Sequence, residues 1–191
     1  MGEELFDQAR EVNFSYRAAV ADVQMQILDG EWALEGYGED ADQCERNRYM
    51  FRLGRATPEG WRIEGSPAEA AARVAAWLDD NGWSDIKTRT YSEGIADVLV
   101  EAKKPESYVG LLTVEFNPGQ LFDSAIVNAD STCEPGDANE IAELQRPGLF
   151  AGTAAEIRDD RTTEHPEDPV SFGYSAEGLP RFWGDKTEES R

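Results

Sequence analysis

Apolar residues recur at three- and four-residue spacing from the start of the chain. Leu5, Ala9, Val12, Tyr16, Ala19, Val20, Val23 and Ile27 fall on one stripe, and this period predicts a long amphipathic helix from about Glu3 to Leu28. Asp29-Gly30 supplies its stop signal. The pattern then changes to alternation. Trp32 to Tyr37 alternates loosely, and Arg48 to Arg55 alternates better, with Tyr49, Phe51 and Leu53 on one face. The polar, acidic stretch from Gly38 to Cys44 between them reads as a loop. A third strand-like segment, Gly60 to Ile63, follows the turn signal Thr57-Pro58-Glu59-Gly60.

The sharpest local signal is a second helix. Ser66 at the N-cap, Pro67 at the first helical position and Glu69 at the third form a capping box. Ala71, Val74, Ala75 and Leu78 make its core face, the helix ends near Asn81, and Gly82 is placed as a left-handed C-terminal cap onto which Trp83 can fold back. Four strand candidates follow, at Ile86 to Tyr91, Ile95 to Lys103, Tyr108 to Asn117 and Ser124 to Ala129. Ser92-Glu93-Gly94, Lys104-Pro105-Glu106-Ser107 and Asn117-Pro118-Gly119-Gln120 separate them as turns. The order helix, strands, helix, strands predicts an α+β fold. It would be an antiparallel sheet of about five to seven strands, with the long N-terminal helix and the second helix packed on one face as a two-layer sandwich.

From about Glu134 the character changes. Asp137 to Leu144 is a short helix candidate, and from Pro147 onward Pro, Gly, Asp and Glu dominate. The expected organisation is an α+β domain over residues 1–146 and a C-terminal tail over residues 147–191, partly disordered or wrapped over the domain. Val170-Ser171-Phe172-Gly173-Tyr174 and Leu179-Pro180-Arg181-Phe182-Trp183 are apolar clusters within that tail. Left bare they would be a liability, so one or both should dock on the domain or on a partner.

The net charge of −21 changes the functional picture. It excludes nucleic acid as a partner, because phosphate-backbone binding needs a concentrated basic surface. It equally opposes docking on anionic lipid through charge. The start, Met1-Gly2-Glu3-Glu4, lacks the basic and apolar regions of a signal peptide, so export would require a signal preceding residue 1. The two cysteines, Cys44 and Cys133, sit in polar, loop-like contexts. Free structural cysteines prefer apolar burial, and acidic neighbours disfavour a reactive thiolate. A structural disulfide between Cys44 and Cys133 is the reading that fits, and it implies an oxidising compartment.

No catalytic constellation appears. The single histidine, His165, lies in the loose Glu164-His165-Pro166 context. A triad needs a positioned base, and a zinc site needs several His or Cys ligands, so neither a catalytic residue nor a metal or cofactor is assigned. Two acidic clusters, Glu39, Asp40, Asp42 and Glu45 and then Asp130, Glu134 and Asp137, would be drawn together by the disulfide. They lack the spacing of a calcium loop and read as solvated carboxylates. Trp32, Trp61, Trp77 and Trp83 lie in or beside regular elements and are core candidates. Some of them could instead line a groove that binds a ligand or peptide. Trp183, Trp61 and Trp32 are the candidate ligand or partner contacts.

The run Trp32…Gly36-Tyr37…Cys44, then Trp61-Arg62, Pro67 at a helix start, Gly82-Trp83 and Cys133 resembles small actinobacterial lipoproteins of the LppA-like kind over roughly residues 5 to 145. The resemblance implies a sheet-plus-helices domain with the cysteines bonded, tethered outside the cytoplasmic membrane through a lipidated cysteine. This chain has no such cysteine at its start, and its C-terminal tail looks like an addition. The expectation is a non-enzymatic, extracytoplasmic domain that binds a protein or cell-envelope component and meets the membrane only through a lipid anchor. The alternatives are an acidic inhibitor or immunity-type protein for a basic partner, and a carboxylate-based enzyme, with or without calcium.

Overall fold

The computed structural model describes residues 2–91 and 96–182. Helix α1 spans Gly2–Ile27, and the predicted stripe is its buried face, with Ala9, Val12, Tyr16, Val20 and Val23 closed off from solvent. Strands β1 (Trp32–Glu45) and β2 (Arg48–Ala56) form an antiparallel hairpin. Helix α2 spans Pro67–Asp80. Its capping box is complete: Glu69 N–H donates to Ser66 Oγ at 3.2 Å, and Ser66 N–H donates to Glu69 Oε2 at 2.8 Å. Its end is the predicted left-handed cap, with Gly82 at φ +78°. Gly82 N–H returns to the Asp79 carbonyl at 3.4 Å and Trp83 N–H to the Leu78 carbonyl at 3.0 Å, which satisfies the last turn.

Strands β3 (Ser84–Thr90), β4 (Val98–Lys104), β5 (Val109–Asn117) and β6 (Ser124–Ser131) make the predicted antiparallel meander. A 3-10 turn over Pro105–Ser107 joins β4 to β5. The predicted turn Ser92-Glu93-Gly94 and the start at Ile95 lie outside the described residues. Two-residue strands β7 (Glu134–Pro135) and β8 (Thr163–Glu164) complete an eight-stranded sheet, ordered β3-β4-β5-β6-β2-β1-β8, with β7 on β2 beside β6. Helix α3 spans Ala138–Gln145 and is capped by the Asp137 carboxylate. Val98, Val100, Leu112, Val114, Phe116, Val127, Phe51 and Leu53 cover one sheet face and meet the helices in a single core. The opposite face carries their half-exposed neighbours, as strand alternation requires.

Two segments differ from the sequence-based expectation. Gly60 to Ile63 forms no strand; it is a loop that faces α2 across a shared cavity. The stretch Gly38 to Cys44 is not a loop but the second half of β1. Tyr37 pairs with Leu53 and Ala41 with Phe51, so four steps along β1 oppose two along β2 and the strand bulges. Gly38 sits at φ +87°, and a Cβ there would lie 2.8 Å from both Leu53 Cβ and the Tyr16 hydroxyl, which accounts for glycine. The bulge turns Glu39 inward. The described part of the tail is built into the fold. Strand β8 pairs with β1, and β9 (Ser171–Tyr174) is buried throughout and pairs with β10 (Pro180–Phe182).

Phe172 is fully buried and packs against Phe6 at 5.1 Å and Phe51 at 5.9 Å between ring centroids. Polar contacts hold the same segment. Arg55, 1% exposed, donates Nε to Glu164 Oε1 at 2.6 Å, and Arg17 lies 3.6 Å from the other oxygen of that carboxylate. Glu39 receives Ser171 Oγ at 2.8 Å and the Tyr174 hydroxyl, while its backbone carbonyl accepts Gln145 Nε2 at 2.6 Å. Each buried charge therefore has partners, as burial demands.

Cys44 and Cys133 are disulfide-bonded, with Cα atoms 6.1 Å apart. Cys44 lies on β1 and Cys133 leads into β7, so the bond ties together the two strands that flank β2. No described helix is long and apolar enough to cross a membrane.

Candidate functional site

The four tryptophans of the regular region separate into two pairs. Trp32 is fully buried with its indole N–H donated to the Leu28 carbonyl at 3.1 Å, and Trp83 is 5% exposed. Both are core, so Trp32 is walled off from any partner. Trp61 and Trp77 are half-buried and line one open cavity of about 450 Å³. Trp183 lies outside the described residues.

Three elements build this groove. The last turn of α1 contributes Gln26 and Ile27, and Phe116 of β5 adds a buried aromatic wall. Helix α2 contributes Ala70, Arg73, Val74 and Trp77, positions spaced i, i+3, i+4 and i+7 and therefore one stripe of the helix. This stripe lies beside the core stripe and shares Val74 with it. The loop after β2 contributes Trp61, Arg62, Ile63 and Glu64.

Asp123 fixes that loop. Its carboxylate accepts Ile63 N–H at 2.9 Å and Gly119 N–H at 3.0 Å, and Arg62 Nη1 stands 3.4 Å away. These backbone hydrogen bonds, with the Arg62 charge as a smaller contribution, hold the Asp123 carboxyl below its ordinary range. Asp123 N–H in turn donates to the Trp61 carbonyl at 3.1 Å. Arg62 also donates to the Gly119 and Leu121 carbonyls. The loop therefore presents Trp61 and Ile63 from a pinned backbone. Leu121, 84% exposed, stands next to Arg62 and extends the apolar surface outward.

Arg73 is held differently. Its Nη2 donates to the Glu64 carbonyl at 2.7 Å, and among the described residues it forms no ion pair with a carboxylate. The groove thus combines apolar side chains with a guanidinium anchored on a backbone carbonyl. Sequence reasoning missed Arg62, Arg73, Ile63 and Phe116 as site residues. The signal available was the stripe Ala70, Arg73, Val74, Trp77, in which a large aromatic adjoins the face needed for the core.

The remaining candidates fall elsewhere. Glu39 is the most buried acid, and burial pushes its carboxyl above the ordinary range despite hydrogen bonds from Tyr174 and Ser171 and the nearby Arg17 charge. It lines neither the groove nor a smaller cavity of about 120 Å³ beside Arg17, Gln24 and His165. His165 Nε2 stands 3.1 Å from Asp29 Oδ1. The two acidic clusters do meet, but across a cation: Arg52 Nε lies 3.9 Å from Asp42 and 3.4 Å from Asp130. Among the described residues no group of three or more His, Cys, Asp or Glu is placed to hold a metal ion. Compared with family models, curated proteins and solved structures, the chain matches none of them.

Proposed function

We propose that this protein is a non-enzymatic, extracytoplasmic, lipoprotein-like binding domain that engages a cell-envelope component through the Trp61–Trp77 groove. The groove itself carries the reading. Its walls mix apolar side chains, Trp61, Ile63, Trp77 and Phe116 among them, with a few polar groups, its loop is pinned by Asp123, and its volume of about 450 Å³ falls in the range of ligand sites, roughly 300–1,000 Å³. A surface of this kind binds without needing a reacting group. The Cys44–Cys133 bond supports the compartment, since such bonds persist in oxidising surroundings. Membrane attachment in this reading is through a lipid anchor.

The test uses Nile red, a neutral apolar fluorophore. One saturable site is expected on the wild-type chain, lost in Trp61→Ala/Trp77→Ala with the far-UV spectrum unchanged. Equal binding by the double variant sinks the reading. The net charge of −21 favours a second reading, an acidic inhibitor of a basic protein. That reading predicts affinity for a cationic partner that collapses with salt and is indifferent to Trp77.

A further inference from the structure

We propose that the groove takes a small amphipathic anion, an apolar group ending in a carboxylate or phosphate, with Arg73 as its charge partner. This rests on the groove being the binding site and adds the class of ligand. A folded protein partner would need about 800 Å² of its own surface, whereas this cavity encloses about 450 Å³, the volume of a short chain or ring system. Ile27, Ile63, Val74, Phe116 and the two indoles supply the apolar contact.

Charge selects the head group. Basic residues number 18 against 39 acidic ones, yet the lining holds two arginines, Arg62 and Arg73, and only one carboxylate residue, Glu64. Arg62 is engaged by Asp123 and by two carbonyls of the loop after β5. Arg73 donates to the Glu64 carbonyl and forms no ion pair among the described residues, although the Glu69 carboxylate one helical turn earlier lies near enough to feel its charge. The carbonyl contact uses one N–H of the five a guanidinium carries. The rest form the planar fork that matches a carboxylate or phosphate. Arg73 precedes Trp77 by one helical turn, so the fork and the indole stand on the same stripe of α2. A cationic ligand would meet two guanidinium groups there, and a neutral one would make no use of the Arg73 charge. Elsewhere an anion meets a surface of net charge −21, which confines it to this groove.

The experiment titrates the full chain with decanoate, decyl phosphate and decanol below their aggregation limits, by calorimetry, for the wild type, Arg73→Gln and Arg73→Lys. Both anions are expected to bind about tenfold more tightly than decanol, the equivalent of about 1.4 kcal/mol. Arg73→Gln should erase that gap and Arg73→Lys should keep most of it. Decanol binding as well as the anions, or a gap that survives Arg73→Gln, overturns the proposal while leaving the groove as a site for apolar ligands. Loss of Nile red binding together with all three decyl probes overturns both.

Discussion

Replacing both cysteines with serine, Cys44→Ser/Cys133→Ser, removes a bond that closes a loop of 89 residues. In the chain-entropy account, joining residues that far apart restricts the unfolded chain by about 4.6 kcal/mol at 25 °C. Both cysteines are half-buried, and the strands they join are already zipped to β2. The native state therefore loses little, and nearly all of the effect belongs to the unfolded ensemble. For a chain of this size the urea slope is about 2–3 kcal/mol per M, so the midpoint should fall by about 1.5–2.3 M with the slope slightly raised. Urea titration of both forms, followed by tryptophan fluorescence, reads this directly. A shift below about 0.4 M, roughly 1 kcal/mol, would refute the loop-closure reasoning. Two reactive thiols in the unreduced native protein would refute the bond itself.

Two further perturbations address the tail and its contacts. Phe172→Ala empties a fully buried site among Phe6, Phe14 and Phe51 and should cost about 3–5 kcal/mol in the same titration; a segment merely lying on the surface would lose less than about 0.5 kcal/mol. Glu39 has a folded pKa raised by burial, so the native state holds its proton more tightly than the unfolded chain. Its contribution is therefore unfavourable above the raised value and vanishes below the ordinary carboxylate range, so stability falls as pH rises through that window. Glu39→Gln mimics the protonated form, so its advantage over the wild type in paired urea midpoints should grow as pH rises above the ordinary carboxylate range. Because burial also raises Asp40 and Asp130, the pairwise difference is the readout, and a difference independent of pH would show that Glu39 is not responsible.

Much of the architecture was legible because local signals and tertiary needs agree. The stripe from Leu5 to Ile27, the Ser66–Glu69 box, the Gly82 cap and the alternation of β4 to β6 each state one structure, and no competing interaction overrides them. The second half of β1 was not legible. Glycine and four acids between Gly38 and Glu45 argue against a strand by composition, and only the pairing with β2 and the bulge at Gly38 make one. Glu39 looked solvated for the same reason. Its partners Ser171 and Tyr174 lie 132 and 135 residues further on, beyond any local pattern. In the tail, composition left the choice between disorder and docking open, and its few apolar residues, Phe172 above all, carry the packing. At the groove, Trp61 was legible as an aromatic able to line a surface, but Trp32 was not distinguishable from it. What separates them is burial, set by α1 and β8 on one side and by an open loop on the other.

Phe6 and Phe172 touch although 166 positions separate them. A chain that emerges in order, from a ribosome or through an export channel, presents the first ring long before its counterpart arrives. The opening helix can settle on the sheet once β6 is out, but its Phe6 end stays uncovered until nearly the whole polypeptide is available, so closure of that corner is a late event spanning the chain. Any truncation before residue 172 leaves a sticky aromatic surface, which marks incomplete molecules for aggregation or degradation.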